Sequence, residues 1–130
     1  MQGKLQIRQK PTQQPLFDRE LLGRIQDIMG PRFSKVVEKY RNSGEEQIRR
    51  MRETLRYSDA KALRKAAHGL KGSSASLGAI YISRLCKELE TEAGKESLEN
   101  AGYHIKHIET GFRLTLSALE QMLRENDQGN

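Results

Sequence analysis

The sequence predicts an all-α protein, an antiparallel up-and-down four-helix bundle with an additional N-terminal helix. Three observations predict it. Apolar residues recur three or four apart through five successive segments, the spacing of helices that bury one face. No proline follows Pro31, so none interrupts the rest of the chain. No stretch alternates apolar and polar residues as a half-buried strand does, and no internal repeat is present. Short connections between the segments make consecutive helices antiparallel neighbours.

The first helix starts at Asp18, a good N-cap, and runs to Met29, with Leu21, Leu22, Ile25, Ile28 and Met29 as its buried stripe. Leu16 and Phe17 pack just before the cap. Gly30 suits a left-handed stop, and Pro31 the first turn of the next helix. In the second helix Phe33, Val37, Tyr40, Gly44, Ile48, Met51 and Leu55 keep one register, with Asn42-Ser43-Gly44 as a point for a kink or break. Its outer face carries Lys35, Lys39, Arg49, Arg52 and Arg56, the pattern of a solvated surface. Ser58 or Asp59 caps the third helix, which ends near Gly78. The fourth turns Ile82, Leu85, Cys86, Leu89 and Ala93 inward and stops at Gly94. Ser97 can cap the fifth, whose stripe is Leu98, Ala101, Ile105, Ile108, Phe112, Leu116, Leu119 and Leu123.

Residues 1–14 hold Lys4, Arg8 and Lys10 among glutamines and read as a flexible basic tail. Residues 15–125 form the helical bundle, and 126–130 a disordered C-terminal tail. The 130 residues, 35% hydrophobic and 31% charged, suit one soluble domain able to bury a core. The Met1 start and the polar end at Asn130 suit a small standalone protein, with an excised domain as the alternative. No apolar run approaches the roughly 20 residues of a membrane span, and the N-terminus lacks the apolar centre of a secretory signal. No membrane association is expected. The single cysteine, Cys86, excludes an internal disulfide and suits a reducing compartment, so a cytoplasmic location is expected. Cys86 falls on an inward stripe, as a small core hydrophobe does. A net charge of +6 favours acidic partners or simply keeps the protein soluble.

The chemistry concentrates in the third helix. Leu63, Ala67, Leu70, Ser74 and Leu77 share its buried face. His68 lies off that stripe, with Arg64, Lys71, Gly72 and Ala75 as its neighbours one and two turns away. Glycines inside a helix cost roughly 1 kcal/mol each against alanine, so Gly69 and Gly72 suggest a site that serves something other than stability. A solvent-facing imidazole is in large part neutral at pH 7 and is a competent nucleophile toward an activated phosphoryl group. Phosphoryl transfer then needs positioning and charge compensation. Lys71, one turn on, supplies a point charge for phosphoryl oxygens. Gly72 leaves bare backbone beside the ring, so that a partner protein can come close.

If Gly78 and Ala79 form the turn between antiparallel helices, positions summing to about 157 sit at one height. That sets His68 level with Leu89 and Glu90. Leu89 is buried, and Glu90 can accept a hydrogen bond from one ring nitrogen, leaving the other free to attack. Alternatively Glu90 is an exposed glutamate pairing with Lys87 or another cation. His104 and His107 lack a third ligand, so no metal site is expected. Ser73, Ser74 and Ser76 carry no hydrolase logic.

The run His68, Leu70, Lys71, Gly72, Ser73, Ser74, Leu77, Gly78, Ala79 resembles the signature of histidine-containing phosphotransfer (HPt) domains. In pattern the resemblance extends from about Leu16 to about Leu123. It implies that His68 is the phosphorylated residue. It implies partners that are receiver domains, one of them in a hybrid sensor histidine kinase and another in a response regulator. HPt domains often place a glutamine or similar polar residue where Glu90 stands. Arg64, Lys65 and Lys71 would complement an acidic receiver surface. Leu16, Phe17 and Ala75 are candidates for the apolar part of that surface. The receiver carries the magnesium, so this chain needs no cofactor, and no glycine-rich phosphate loop is visible. The implied protein is a monomeric phosphocarrier with no kinase or phosphatase activity of its own. Sensor-kinase dimerisation helices typically follow their histidine with Glu or Asp, whereas Gly69 follows here. The related phosphoacceptor domain of chemotaxis-type kinases stays open. The alternatives are a helical adaptor that binds receivers without being phosphorylated, or a basic nucleic-acid-binding module. Aromatics at 5% leave few stacking platforms for the latter.

Overall fold

A computed structural model describes residues 15–129, with side chains through Asn126. The basic tail expected at 1–14 lies outside the described residues, as does Asn130. Five α-helices follow in order: α1 (Arg19–Met29), α2 (Phe33–Arg56), α3 (Ala60–Leu77), α4 (Ile80–Gly94) and α5 (Ala101–Gly129), with one 3-10 turn at Gly30–Arg32 between the first two. Among the described residues there is no strand. Each of α2 to α5 packs on its neighbours in sequence, and α5 closes the ring against α2. The result is the up-and-down bundle, with α1 lying across α2 and α3 at one end.

Local chemistry sets the boundaries. The Asp18 carboxylate accepts from the Leu21 N–H and caps α1, and Asp59 accepts from the Ala62 N–H and caps α3. Gly78 ends α3 at φ +84, where a side chain would meet the Asp18 carbonyl at 3.3 Å. The Asp18 N–H donates to the Gly78 carbonyl at 2.8 Å, so the α3–α4 turn also anchors the start of α1. Gly30 has φ +55 but ψ −132, so it ends α1 in a glycine conformation and not in the expected left-handed helical stop.

α2 runs unbroken through Asn42-Ser43-Gly44. Gly44 does not kink it. It makes room for the Phe112 ring of α5, which would stand 2.2 Å from an added Cβ. The core is continuous from Phe33 to Leu119 and includes Met51, Leu63, Leu70, Ile82, Leu89, Ile105 and Ile108, all essentially without solvent contact. Ser74 is the polar exception on α3, and it shares a 2.6 Å hydrogen bond with the Tyr40 hydroxyl. Ion pairs of Arg41 with Glu120 and Arg52 with Glu109 join α2 to α5 at the surface.

Further expectations are corrected. Ser97 does not cap the last helix, because residues 95–100 form a turn. Glu96 takes φ +59, the Ser97 N–H donates to the Glu92 carbonyl, and the helix starts at Ala101. Gly94 is the last residue of α4, as expected. The backbone is helical through Gly129 rather than disordered from 126, since no proline or glycine cap halts α5 earlier. Ile28 is 74% exposed, because α1 touches the bundle along a strip too narrow to cover it.

Candidate functional site

α3 presents His68 outward midway along its length, with the ring 66% exposed. α3 can do this because Leu63, Ala67, Leu70 and Ser74 bury the opposite face. The α3–α4 turn brings Glu90 level with the ring. His68 Nδ1 lies 2.8 Å from Glu90 Oε2, and Lys71 Nζ lies 2.7 Å from Glu90 Oε1. One carboxylate thus holds both, with its side chain only 14% exposed. Burial pushes the Glu90 carboxyl up, but hydrogen bonds from Lys71 and His68, with their charges, outweigh it and hold it below the usual carboxylate range. An ionised carboxylate only accepts, so Nδ1 must carry the proton. Nε2 then bears the lone pair, and it is the nitrogen left to solvent and partners.

The other candidates fall into place around this pair. Gly72 is exposed, and a Cβ there would meet nothing within 4 Å, so no neighbour in the fold requires a glycine. Arg64 is exposed and lies along Gly94 of α4. Lys65 is exposed on the α2 side, and Ala75 is exposed two turns beyond His68. Leu16 is half-buried against the core. Phe17 is corrected: at 6% exposure its ring belongs to the core and fixes α1, so it cannot line a docking surface. A groove of about 350 Å³ lies between α1, α2 and α3, lined by Ile25, Val36, Tyr40 and Leu77 and bordered by Ser73 and Ser76.

Gln47 of α2 was not anticipated. Its carboxamide lies directly over Gly69, 2.9 Å from where a Cβ would stand. The signal was available: the tight turn at Tyr57–Asp59 pairs α2 with α3 by height just as the next turn pairs His68 with Glu90. Cys86 is buried, and burial with the nearby Glu90 charge pushes its thiol up to about 12, so it is an inert core residue. Among the described residues no group of three or more His, Cys, Asp or Glu side chains could hold a metal ion, and no helix is long and apolar enough to cross a membrane.

The comparisons agree with this geometry. The family model described as Hpt domain matches residues 35–128. No curated protein matches. Among solved structures, the crystal structure of histidine-containing phosphotransfer protein B (HptB) from Pseudomonas aeruginosa PAO1 is similar at a TM-score of 0.82 and 30% identity, over 85% of this chain and 96% of that one. The bundle, the outward histidine and the match over most of the chain lead to one conclusion: the chain belongs to the Hpt domain family and is a histidine phosphotransfer protein.

Proposed function

We propose that His68 accepts a phosphoryl group from the aspartyl phosphate of one receiver domain and passes it to the aspartate of another. The carrying observation is the 2.8 Å contact of His68 Nδ1 with the Glu90 carboxylate, which calls for the proton on Nδ1. With the proton on Nδ1, the Nε2 lone pair attacks phosphorus in line, the bond from phosphorus to the aspartyl oxygen breaks, and the aspartate leaves as a carboxylate. No proton has to move. The product is a ring phosphorylated on Nε2 that keeps its Nδ1–H and carries a positive charge, which the Glu90 carboxylate faces. Lys71 shares that carboxylate and is one turn from His68, so its ammonium can turn from Glu90 to the incoming phosphoryl oxygens. The bare Gly72 backbone lets the partner loops reach the ring.

The donor is the receiver of a hybrid sensor histidine kinase and the acceptor a response regulator, with magnesium held by the receivers. Arg64 and Lys65 offer charge to their acidic surfaces, and Leu16, Ala75 and the groove beside Ile25 offer apolar contact. The protein works in the cytoplasm as a monomeric carrier without kinase or phosphatase activity of its own. Nitrogen-15 NMR of the histidine-labelled protein tests the chemistry. The Nδ1–H tautomer before transfer and a phosphorylated Nε2 of His68 after it are expected. A phosphoryl group on Nδ1, or on His104 or His107, would contradict it.

A further inference from the structure

α4 and α5 meet in a groove that the His68 site does not use. Its volume is about 370 Å³, and it is lined by Tyr81, Tyr103, Lys106, His107 and Thr110. Pockets of roughly 300 Å³ and more are large enough for a small organic molecule. Every lining residue carries a polar group, and none carries a carboxylate. Tyr103, Lys106, His107 and Thr110 recur three or four apart on α5, so they share one face. Tyr81 faces them from α4.

Two aromatic rings frame the groove, and each is held in place. Gly111 seats the first. An added Cβ there would stand 2.9 Å from Tyr81 Cε2, so the glycine lets this ring lie against the backbone of α5. The Arg84 guanidinium stands over the same ring, 5.4 Å from its centre. Tyr103 is the opposite case, 64% exposed. It is positioned nonetheless, with the His107 ring 4.3 Å and the edge-on His104 ring 6.1 Å from its centre. A positioned ring with open area is a platform on which a planar ligand stacks.

Charge narrows the ligand. Lys106 is exposed and makes no ion pair with any described residue. With no acid in the lining, the groove favours an anion. The neighbouring groove between the same two helices differs. It is lined by Arg84, Lys87, Glu88, Thr91, Glu92 and His104, which sets two carboxylates against two fixed cations. A long polyanion following the α4–α5 seam would run onto those carboxylates, whereas a compact one stops short of them.

We propose that the groove between Tyr81 and Tyr103 binds a nucleoside monophosphate, its base stacked on Tyr103 and its phosphate held by the Lys106 ammonium and the Thr110 hydroxyl. Neither His68 nor its partners Glu90 and Lys71 line this groove, so ligand binding and phosphoryl transfer use separate residues.

The full chain is titrated with the monophosphates of adenosine, guanosine, cytidine and uridine, and binding is followed by calorimetry and nitrogen-15 NMR. Adenosine alone and inorganic phosphate serve as partial probes. A monophosphate should saturate one site per chain with a Kd below about 1 mM, and the shifts should centre on Tyr103, Lys106 and Thr110. Each partial probe should bind at least about tenfold more weakly, because it makes only part of the contacts. Tyr103→Ala should raise Kd at least about fivefold, the low end of losing an aromatic platform beneath a base. Tyr103→Phe keeps the ring and should bind like wild type. Lys106→Met should weaken the monophosphate and leave adenosine unaffected. Tyr103 and Lys106 are exposed, so these variants should keep the wild-type melting temperature and the wild-type rate of transfer from a receiver. No saturable binding of any of the four monophosphates, equal affinity for inorganic phosphate, or binding unmoved by Tyr103→Ala would each overturn the proposal. So would binding of oligodeoxythymidine that tightens with strand length, which would assign this face to nucleic acid.

Discussion

A single carboxylate shared by His68 and Lys71 governs the site at the scale of residues. Glu90 holds His68 Nδ1 and the Lys71 ammonium on its two oxygens, and in the proposed reaction it would face the charge that phosphorylation creates. Removing it should slow transfer without unfolding the protein. Glu90→Gln keeps the shape and loses the charge, so it should transfer more slowly than wild type by about tenfold, the effect of about 1.4 kcal/mol on the barrier. The same carboxylate links stability to pH. Its native pKa lies below the ordinary value, so the stability it contributes is full above about pH 4.3, the unfolded glutamate value. It is lost as pH falls further, through the depressed native value. Denaturation of wild type and Glu90→Gln should therefore show a gap at pH 7 that narrows below about pH 4. A gap that widens in acid would mean that Glu90 is not ionised in its native pair.

Glycines separate packing from function at the scale of elements. Gly44 and Gly72 both sit inside helices, in opposite circumstances. At Gly44 a Cβ would stand 2.2 Å from the Phe112 ring, so Gly44→Ala should destabilise the bundle by about 1–3 kcal/mol, as overpacked cores do. At Gly72 a Cβ meets nothing. Gly72→Ala should instead stabilise the protein by up to about 1 kcal/mol and yet slow transfer, because the methyl stands where the partner must approach. Urea denaturation and transfer rates, measured side by side, check both. These elements also mark what the sequence could convey. The helix stripes, the Asp18 and Asp59 caps and the height of Glu90 follow from periodicity and turn position. The role of Gly44 did not, because periodicity within α2 carries no information about which ring of α5 it will meet. Ser97 misled because a serine before an apolar run signals a cap only when the preceding chain is free, and here the Ser97 N–H is already bonded to Glu92. Phe17 misled because a residue outside any helix can still be clamped into the core, as it is by the bonds of Leu16 and Asp18 to the α3–α4 turn. Gln47 was missed because only one of the two turns flanking α3 was used to align neighbours.

The whole molecule carries a net charge of +6. Exposed Arg64 and Lys65 put part of it beside His68. Charge of this kind steers encounter with anionic partners and is screened over roughly 8 Å at physiological salt. Raising the salt should therefore lower kcat/KM for transfer from a receiver, chiefly through the association step, while leaving turnover at saturation nearly unchanged. A steep salt dependence of DNA binding that ignores substitution of His68 would instead place the charge in the service of nucleic acid.

The central claim is that this bundle exists to carry a phosphoryl group on His68. Transfer from an acetyl-phosphate-charged receiver domain, run beside His68→Gln and followed by an acid-stability check on the label, tests it most directly. An acid-labile label on the wild type and none on His68→Gln is the predicted result. Receiver binding without any transfer to the wild type, or equal labelling of the two proteins, would contradict it.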